Sequence, residues 1–258
     1  MKNFAYLIFT ITLFVGCGKN DDASNNSAGI LYPLKLTYKS RANGRSSTDT
    51  YKYDSKHRLI RSTESTGVIT EFSYTNDNLT GIKITNLDKS TEVYQFIYEG
   101  NKLKNGVLSR YNSSNSIQAT TFITYTVNEA GKVLSGELSG YQGGTFVVTW
   151  TGENVSKIVT KGSVKEWTFS ELKHPFASQK ALHNVYDGIF LTEMFYHVNA
   201  EATFKSGPIS LKNHSLLELE YSGNKLGYPT SRTITLSQVL EGKKISTEAL
   251  ADNFIEYK

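Results

Sequence analysis

The sequence predicts an all-β protein: a large antiparallel meander of repeated hairpins, closed or strongly curled into a soluble barrel, with one short helical segment. Three observations carry this expectation. From Leu34 onward, apolar and polar residues alternate with a period of two. Short Asn, Asp and Gly clusters interrupt the alternation where tight hairpins would need them. A unit of aromatic, any residue, aromatic, polar turn and aliphatic strand start then recurs along the chain.

Composition agrees. The chain has 258 residues, of which 38% are hydrophobic, and Thr, Ser, Tyr and Asn are abundant. Such a mix suits half-exposed strands joined by polar turns better than a thick α/β core. One β-domain of 200–250 residues is a common size. The net charge is +4, with basic residues scattered rather than in runs, so no nucleic-acid partner is indicated. A single cysteine rules out internal disulfides and thiolate-rich metal sites.

That cysteine has a telling place. Residues 1–17 read MKNFAYLIFTITLFVGC, with Lys2 followed by a mostly apolar run from Phe4 to Val15. The run is too short to span a membrane but fits a signal segment. Its end, Leu13-Phe14-Val15-Gly16-Cys17, resembles the bacterial lipobox, although Phe14 stands where Leu is usual. The resemblance implies a signal peptide over 1–16 and diacylated Cys17, a palmitate-type anchor that attaches the protein stably to the membrane. Residues 17–30 then form the lipidated cysteine and a flexible tether, since GKNDDASNNSAG has almost nothing to bury. Lys19, Asp21 and Asp22 resemble the short acidic export signal of Bacteroidota lipoproteins, and equally suit a plain solvated linker. The expected location is the outer membrane, with the leaflet left open.

Residues 31–258 are expected to form a single barrel-like domain. The repeated unit occurs at 51–60, 72–82, 96–108, 125–134, 148–158 and 219–229, and WTFSELKHPF (167–176) reads as a copy that lost its second strand. Tyr53, Tyr74, Tyr98, Val127, Trp150, Phe169 and Tyr221 are the strand-ending positions. Residues i and i+2 share a face, so each aromatic pair shows two rings to one side. The aliphatic residue after the turn should close a cross-strand cluster with them. Strands read as mostly shorter than the 9–11 residues of a spanning strand, with a polar face opposite the rings, which describes a barrel in water.

Tyr51, Tyr53, Asp54, Arg58 and Leu59 match the core of the YD (Rhs-type) repeat, Tyr-x-Tyr-Asp-x-x-x-Arg-Leu. Together with the lipobox, the tether and Lys173-His174-Pro175-Phe176, where an Asn-Pro-Phe-like element would carry Asn in place of His174, the chain resembles a family of uncharacterised Bacteroidota lipoproteins. Their domain of unknown function is described as porin-like. The resemblance implies a large antiparallel barrel and no known activity.

One segment breaks the pattern. Over 177–199, Leu182, Val185, Tyr186, Ile189, Phe190 and Met194 fall at helical spacing behind Ser178, while Asp187-Gly188 suggests a hairpin. As a helix it would plug or cover one end of the barrel, because wide barrels leave interior space to fill.

Chemistry is sparse. His183 with Asp187, and Glu193 with His197, sit four apart, but no third ligand or zinc motif accompanies them, so no metal and no cofactor are expected. No nucleophile elbow, P-loop or dinucleotide fingerprint is present, and no catalytic residue is nominated. Tyr and Trp rings on a sheet can stack on sugars or form the core. Tyr111, Tyr141 and Tyr228, beside turns, and Trp150, at a strand end, are the candidate ligand contacts. The expected role is a lipid-anchored, non-enzymatic envelope binding or scaffold protein whose ligand is a glycan, a peptide or an envelope partner. A carbohydrate hydrolase and a purely structural component of an envelope complex are the alternatives.

Overall fold

The computed structural model describes residues 29–183 and 199–258. Within the unit Leu31–Lys258, sixteen strands run in chain order. They are β1 (Pro33–Ser40), β2 (Ser46–Tyr53), β3 (Leu59–Glu64), β4 (Ile69–Thr75), β5 (Asn78–Thr85) and β6 (Thr91–Glu99). Next come β7 (Lys102–Tyr111), β8 (Ile117–Val127), β9 (Val133–Gly140), β10 (Gly144–Thr151), β11 (Asn154–Thr160) and β12 (Ser163–Lys173). A four-residue helix, α1 (Lys180–His183), precedes β13 (Asn199–Pro208), β14 (His214–Gly223), β15 (Pro229–Leu240) and β16 (Lys243–Tyr257). Each strand pairs antiparallel with its sequence neighbours, and β1 pairs with β16, so the expected meander closes into a barrel.

The repeat explains how. Tyr53, Tyr74, Tyr98, Val127 and Trp150 lie at the ends of β2, β4, β6, β8 and β10 and pair with Leu59, Leu79, Leu103, Val133 and Val155, the aliphatic residues that follow each turn. A register shift sits immediately before every one of these pairs, leaving residues 60, 80, 104, 134 and 156 unmatched. Each is a β-bulge, which bends its strand and adds right-handed twist. Five bulges at equivalent places curl the sheet steadily in one sense, as closure requires. The bulge also puts residues three apart on the same face, so Leu79 and Ile82, or Val155 and Ile158, are both buried.

Strand-end rings clasp the preceding hairpin. The Tyr53 hydroxyl donates to the Pro33 carbonyl (2.7 Å), Tyr74 to Leu59 (2.8 Å) and Tyr257 to Pro229 (2.7 Å), while Trp150 Nε1 donates to Val133 (2.7 Å). Each ring is half-buried with its one polar atom satisfied. Burial pushes the phenol pKa values of Tyr53, Tyr74 and Tyr257 up, so these hydroxyls keep the proton they donate.

Turn chemistry repeats as well. In Asp54–Arg58, Asn112–Ser116 and Asn224–Tyr228, the first side chain accepts from the N–H groups two and four residues on, at 2.9–3.1 Å. The fourth residue takes a positive φ: His57 59°, Asn115 59° and Gly227 79°. In the first of these turns, Arg58 also pairs with Asp54 at 2.7 Å, bonds the Asn76 carbonyl and lies 4.6 Å over the Tyr74 ring. The YD-like residues thereby lock one hairpin to the next.

The inward face forms the core. Tyr94, Phe96, Tyr125, Phe146, Val148 and Trp167 are buried among the aliphatics. Gly136 is where the sheet makes room for a ring, since a Cβ there would come within 2.3 Å of Phe146. The outward face carries Lys35, Lys52, Glu71, Lys83, Glu137 and Glu166, with Arg61–Glu71 (3.7 Å) and Lys157–Glu166 (2.8 Å) bridging neighbouring strands. Several strands reach 10–15 residues, longer than expected, so length alone does not tell a water-facing barrel from a spanning one. The outward charges favour a water-facing wall, because each Lys or Arg at the bilayer midplane costs about 2–4 kcal/mol. No helix among the described residues is long and apolar enough to cross a membrane.

Two sequence expectations are revised. The copy at 167–176 keeps its second strand, which arrives as β13 after an insertion. Of the helix expected over 177–199, α1 is the described part, and residues 184–198 lie outside the described residues.

Candidate functional site

The two barrel ends differ. At the end where β1 begins, the β12–β13 connection turns inward as a plug. Phe176 is buried with its ring edge-on to Tyr51 (5.0 Å, 80°), and Leu182 is buried beside the same core. Gln179, 5% exposed, accepts from the Leu59 N–H (2.8 Å) and donates to the His57 carbonyl (3.0 Å). Its amide supplies backbone partners that the β2–β3 turn cannot supply itself. His174, also buried, accepts from the Phe176 N–H at Nδ1 (3.2 Å) and lies 3.7 Å from Glu201. Between plug and wall, a gap of about 20 Å³ lined by Tyr51, His174, Phe176, Tyr221 and Arg232 has room for about one water.

Beyond the plug lies an interior cavity of about 170 Å³ lined by Trp167, Glu201, Phe204, Leu217, Leu219, Arg232 and Ile234. Asn253 presents its amide oxygen to Arg232 Nε (2.8 Å) and Nη2 (2.9 Å). Burial, with the Glu201 charge nearby, raises the Tyr221 phenol pKa. This polar group fixes the wall behind the plug.

The opposite end bears the turns between odd and even strands, and there a wider cavity of about 340 Å³ opens beside β9–β12. Buried Leu138, Phe146 and Ile158 form its floor, while Gly143, Gly144, Thr160, Lys161, Gly162, Ser163 and Lys165 line the walls. Thr160 and Ser163 hydroxyls bond each other at 2.8 Å. Tyr141, 66% exposed, stands on the adjoining turn, held by its N–H to the Thr120 carbonyl (2.9 Å). The volume falls within the range of small-ligand sites.

The candidate ligand residues separate accordingly. Tyr111 ends β7 and Tyr141 follows β9, so both lie at the open end on neighbouring turns. Trp150 and Tyr228 belong to the plugged end. Tyr228 is not the exposed contact expected: it is 3% exposed, under the Lys173 ammonium (4.9 Å) and beside Tyr257 (5.6 Å). Trp150 uses its indole N–H on Val133. Cys17, Asp187, Glu193 and His197 lie outside the described residues. Among the described residues, no group of three or more His, Cys, Asp or Glu could hold a metal ion.

Sequence reading missed the acids facing the lumen. Asp49 pairs across strands with Glu64, and burial followed by the Glu64 charge raises the Asp49 carboxyl pKa to about 6. Neither acid lines the cavities above. Lys161 and Lys165 were equally silent, because each is a single lysine in a polar stretch and only the fold sets them around one opening.

No protein-family model matches the chain, and no curated protein matches it. Among solved structures, a porin-like protein from Bacteroides uniformis aligns with a TM-score of 0.53 and 12% identity, over 88% of this chain and 96% of that one. A porin-like protein from Bacteroides vulgatus aligns with a TM-score of 0.46 and 8% identity, over 88% and 99%. The likeness to the first is one of fold. The protein is therefore a closed antiparallel barrel of porin-like fold that, among the described residues, has a packed interior, one plugged end and one open mouth.

Proposed function

We propose that this protein is a lipid-anchored, non-enzymatic binding protein of the cell envelope that takes its ligand at the open mouth. The observation that carries the reading is the asymmetry of the ends: rings and a plug fill the lumen from one side, and a cavity of about 340 Å³ lies on the other. A lumen occupied by packed rings and a plug supports recognition over conduction. The lipobox-like end at Cys17 supports anchoring, and the porin-like fold supports an envelope setting. Hairpin locking by Asp54, Arg58 and Tyr74 supports the reading of a YD-type repeat.

Anchoring is tested by labelled palmitate in expressing cells. Label is expected in the wild type and absent in Cys17→Ala, and equal label in both would remove the anchor. Binding is tested by glycan arrays and envelope pull-downs with the whole protein and with Tyr141→Ala. A ligand lost in the variant is expected, and silence from both assays would end the reading.

A further inference from the structure

We infer that the rim of the open mouth docks onto an anionic lipid surface, its apolar turn residues entering the headgroup layer and the cations between them meeting phosphate. The inference rests on the open mouth being the binding face, as proposed above, and names the partner.

Single exposed aliphatics are ordinary on any protein. Their distribution here is not. The five most exposed large hydrophobics among the described residues are Leu87, Ile117, Tyr141, Ile209 and Ile245, each 59–66% exposed, and all stand at the open end. Leu87, Tyr141 and Ile209 lie in the β5–β6, β9–β10 and β13–β14 turns, Ile117 opens β8, and Ile245 lies near the start of β16. In the described turns of the plugged end, Leu226 is the exposed large hydrophobic, and it is less exposed than any of the five. The open-end turns also carry exposed Arg41, Arg45, Lys89, Lys161 and Lys212, against Asp88 and Glu241. Arg41 is paired with Asp252, and the Asp88 carboxylate accepts from the Ser90 hydroxyl.

The layout selects the partner. Successive open-end turns are two strands apart, about 10 Å along the sheet. The apolar tips are therefore separate points around a circumference whose inner side opens on the cavity. A protein interface is built the other way, with an apolar centre and a polar rim. A lipid surface needs no such centre, because each tip enters it independently and each neighbouring cation meets anionic headgroups. Two of these rims face to face would set like charges against each other, which disfavours a second copy. The tether permits the arrangement. Leu31 begins the barrel at the plugged end, and residues 17–30 fully extended reach about 46–50 Å. A ten-residue strand such as β7 rises about 33 Å, so an acyl chain on Cys17 and the open rim can meet one bilayer.

The test uses the full acylated chain in vesicles of phosphatidylethanolamine with increasing phosphatidylglycerol and a nitroxide on the lipid headgroup. Cys17 is the chain's one cysteine and acylation occupies its thiol, so Ile117→Cys, Ile209→Cys and Ser55→Cys each take a fluorophore at a single place. Ser55 lies in the β2–β3 turn at the plugged end. The two rim fluorophores should be quenched as phosphatidylglycerol rises, and the one at Ser55 should not. Vesicles of phosphatidylcholine should leave all three bright. Near the midpoint, Lys161→Gln/Lys212→Gln should lower the docked-to-undocked ratio about 25-fold, about fivefold for each cation near an anionic surface. Leu87→Ser/Tyr141→Ser should lower it about tenfold or more through lost insertion. Lys104→Gln, at the plugged end, should leave it unchanged. Unchanged melting temperatures in these variants keep the comparison one of docking.

Quenching at Ser55 equal to that at the rim, quenching alike in neutral and anionic vesicles, or none at the rim would overturn the inference. If the rim stays bright while arrays or pull-downs return a glycan or a protein whose capture needs Tyr141, the binding role stands and only the lipid partner falls. If they return nothing, both fall. Should palmitate labelling remove the anchor, the same probes in Cys17→Ala added to the vesicles read docking without it, so anchor and rim fail separately.

Discussion

Replacing Gln179 with leucine should be among the most damaging single changes at the plugged end. The side chain is buried, and its two amide atoms serve two backbone groups of the β2–β3 turn, at 2.8 and 3.0 Å. Leucine keeps the bulk and removes both partners. Leu59 is fully buried, so its N–H would be left without water, a loss of about 1–3 kcal/mol. The His57 carbonyl belongs to a turn nearer solvent and should lose about 1 kcal/mol. The total of about 2–4 kcal/mol corresponds to a fall of roughly 4–16 °C in Tm for a domain of this size. Calorimetry of Gln179→Leu beside wild type measures this directly. A Tm change within 1 °C for the leucine variant would refute the claim that the plug is stitched to the wall through this amide.

Three further outcomes follow from the same geometry. Gly136→Ala sets a methyl against Phe146, whose ring is buried near Tyr125 (6.3 Å), and should lower stability by about 1–3 kcal/mol in urea unfolding. Adding Phe146→Leu should recover part of that loss, whereas simple additivity would deny the clash. Lys89, at φ 68°, occupies a left-handed turn position, so Lys89→Gly should raise stability by about 0.5–1 kcal/mol once glycine's greater unfolded-state freedom is counted. The Asp49 carboxyl, ordinary when unfolded and raised to about 6 when folded, favours the protonated native state. Its stabilising contribution is complete below about pH 4 and lost as pH rises through 6. Asp49→Asn should flatten the urea midpoint between pH 4 and 6 relative to wild type, and an unchanged slope would count against the assignment.

How far the sequence carried the fold can be judged position by position. The aromatic pairs and turn clusters were legible because side-chain alternation and positive φ are local demands, met by residues such as Asn115, Gly131 and Tyr74. Closure was foreshadowed in a signal that went unread. Aliphatics three apart after each turn, as in Leu79 and Ile82, depart from period two and mark the bulges that curl the sheet. The second strand of the seventh copy was lost to view because a long connection separates β12 from β13, and a pattern window does not reach across it. Tyr228 misled for a similar reason. A residue in a turn is exposed unless something distant covers it, and Lys173 and Tyr257 come from other strands.

The repeat also bears on where function can reside. A unit whose ring is clasped to a carbonyl, whose turn acid or amide is spent on backbone N–H groups and whose aliphatics are buried has no chemistry left to offer a ligand. Packing alone needs the aromatic and the turn, which persist along the chain where the Asp54 and Arg58 equivalents do not. Residues free of these duties occur where the unit is interrupted. One interruption is the plug, and Phe176, Gln179 and Leu182 are committed to the core. The other is the rim of the β9–β10 and β11–β12 turns, where glycines shorten the connections, Tyr141 stands exposed and the cavity has an apolar floor. Recognition at that rim, as proposed above, would leave undisturbed the hairpins that hold the barrel closed.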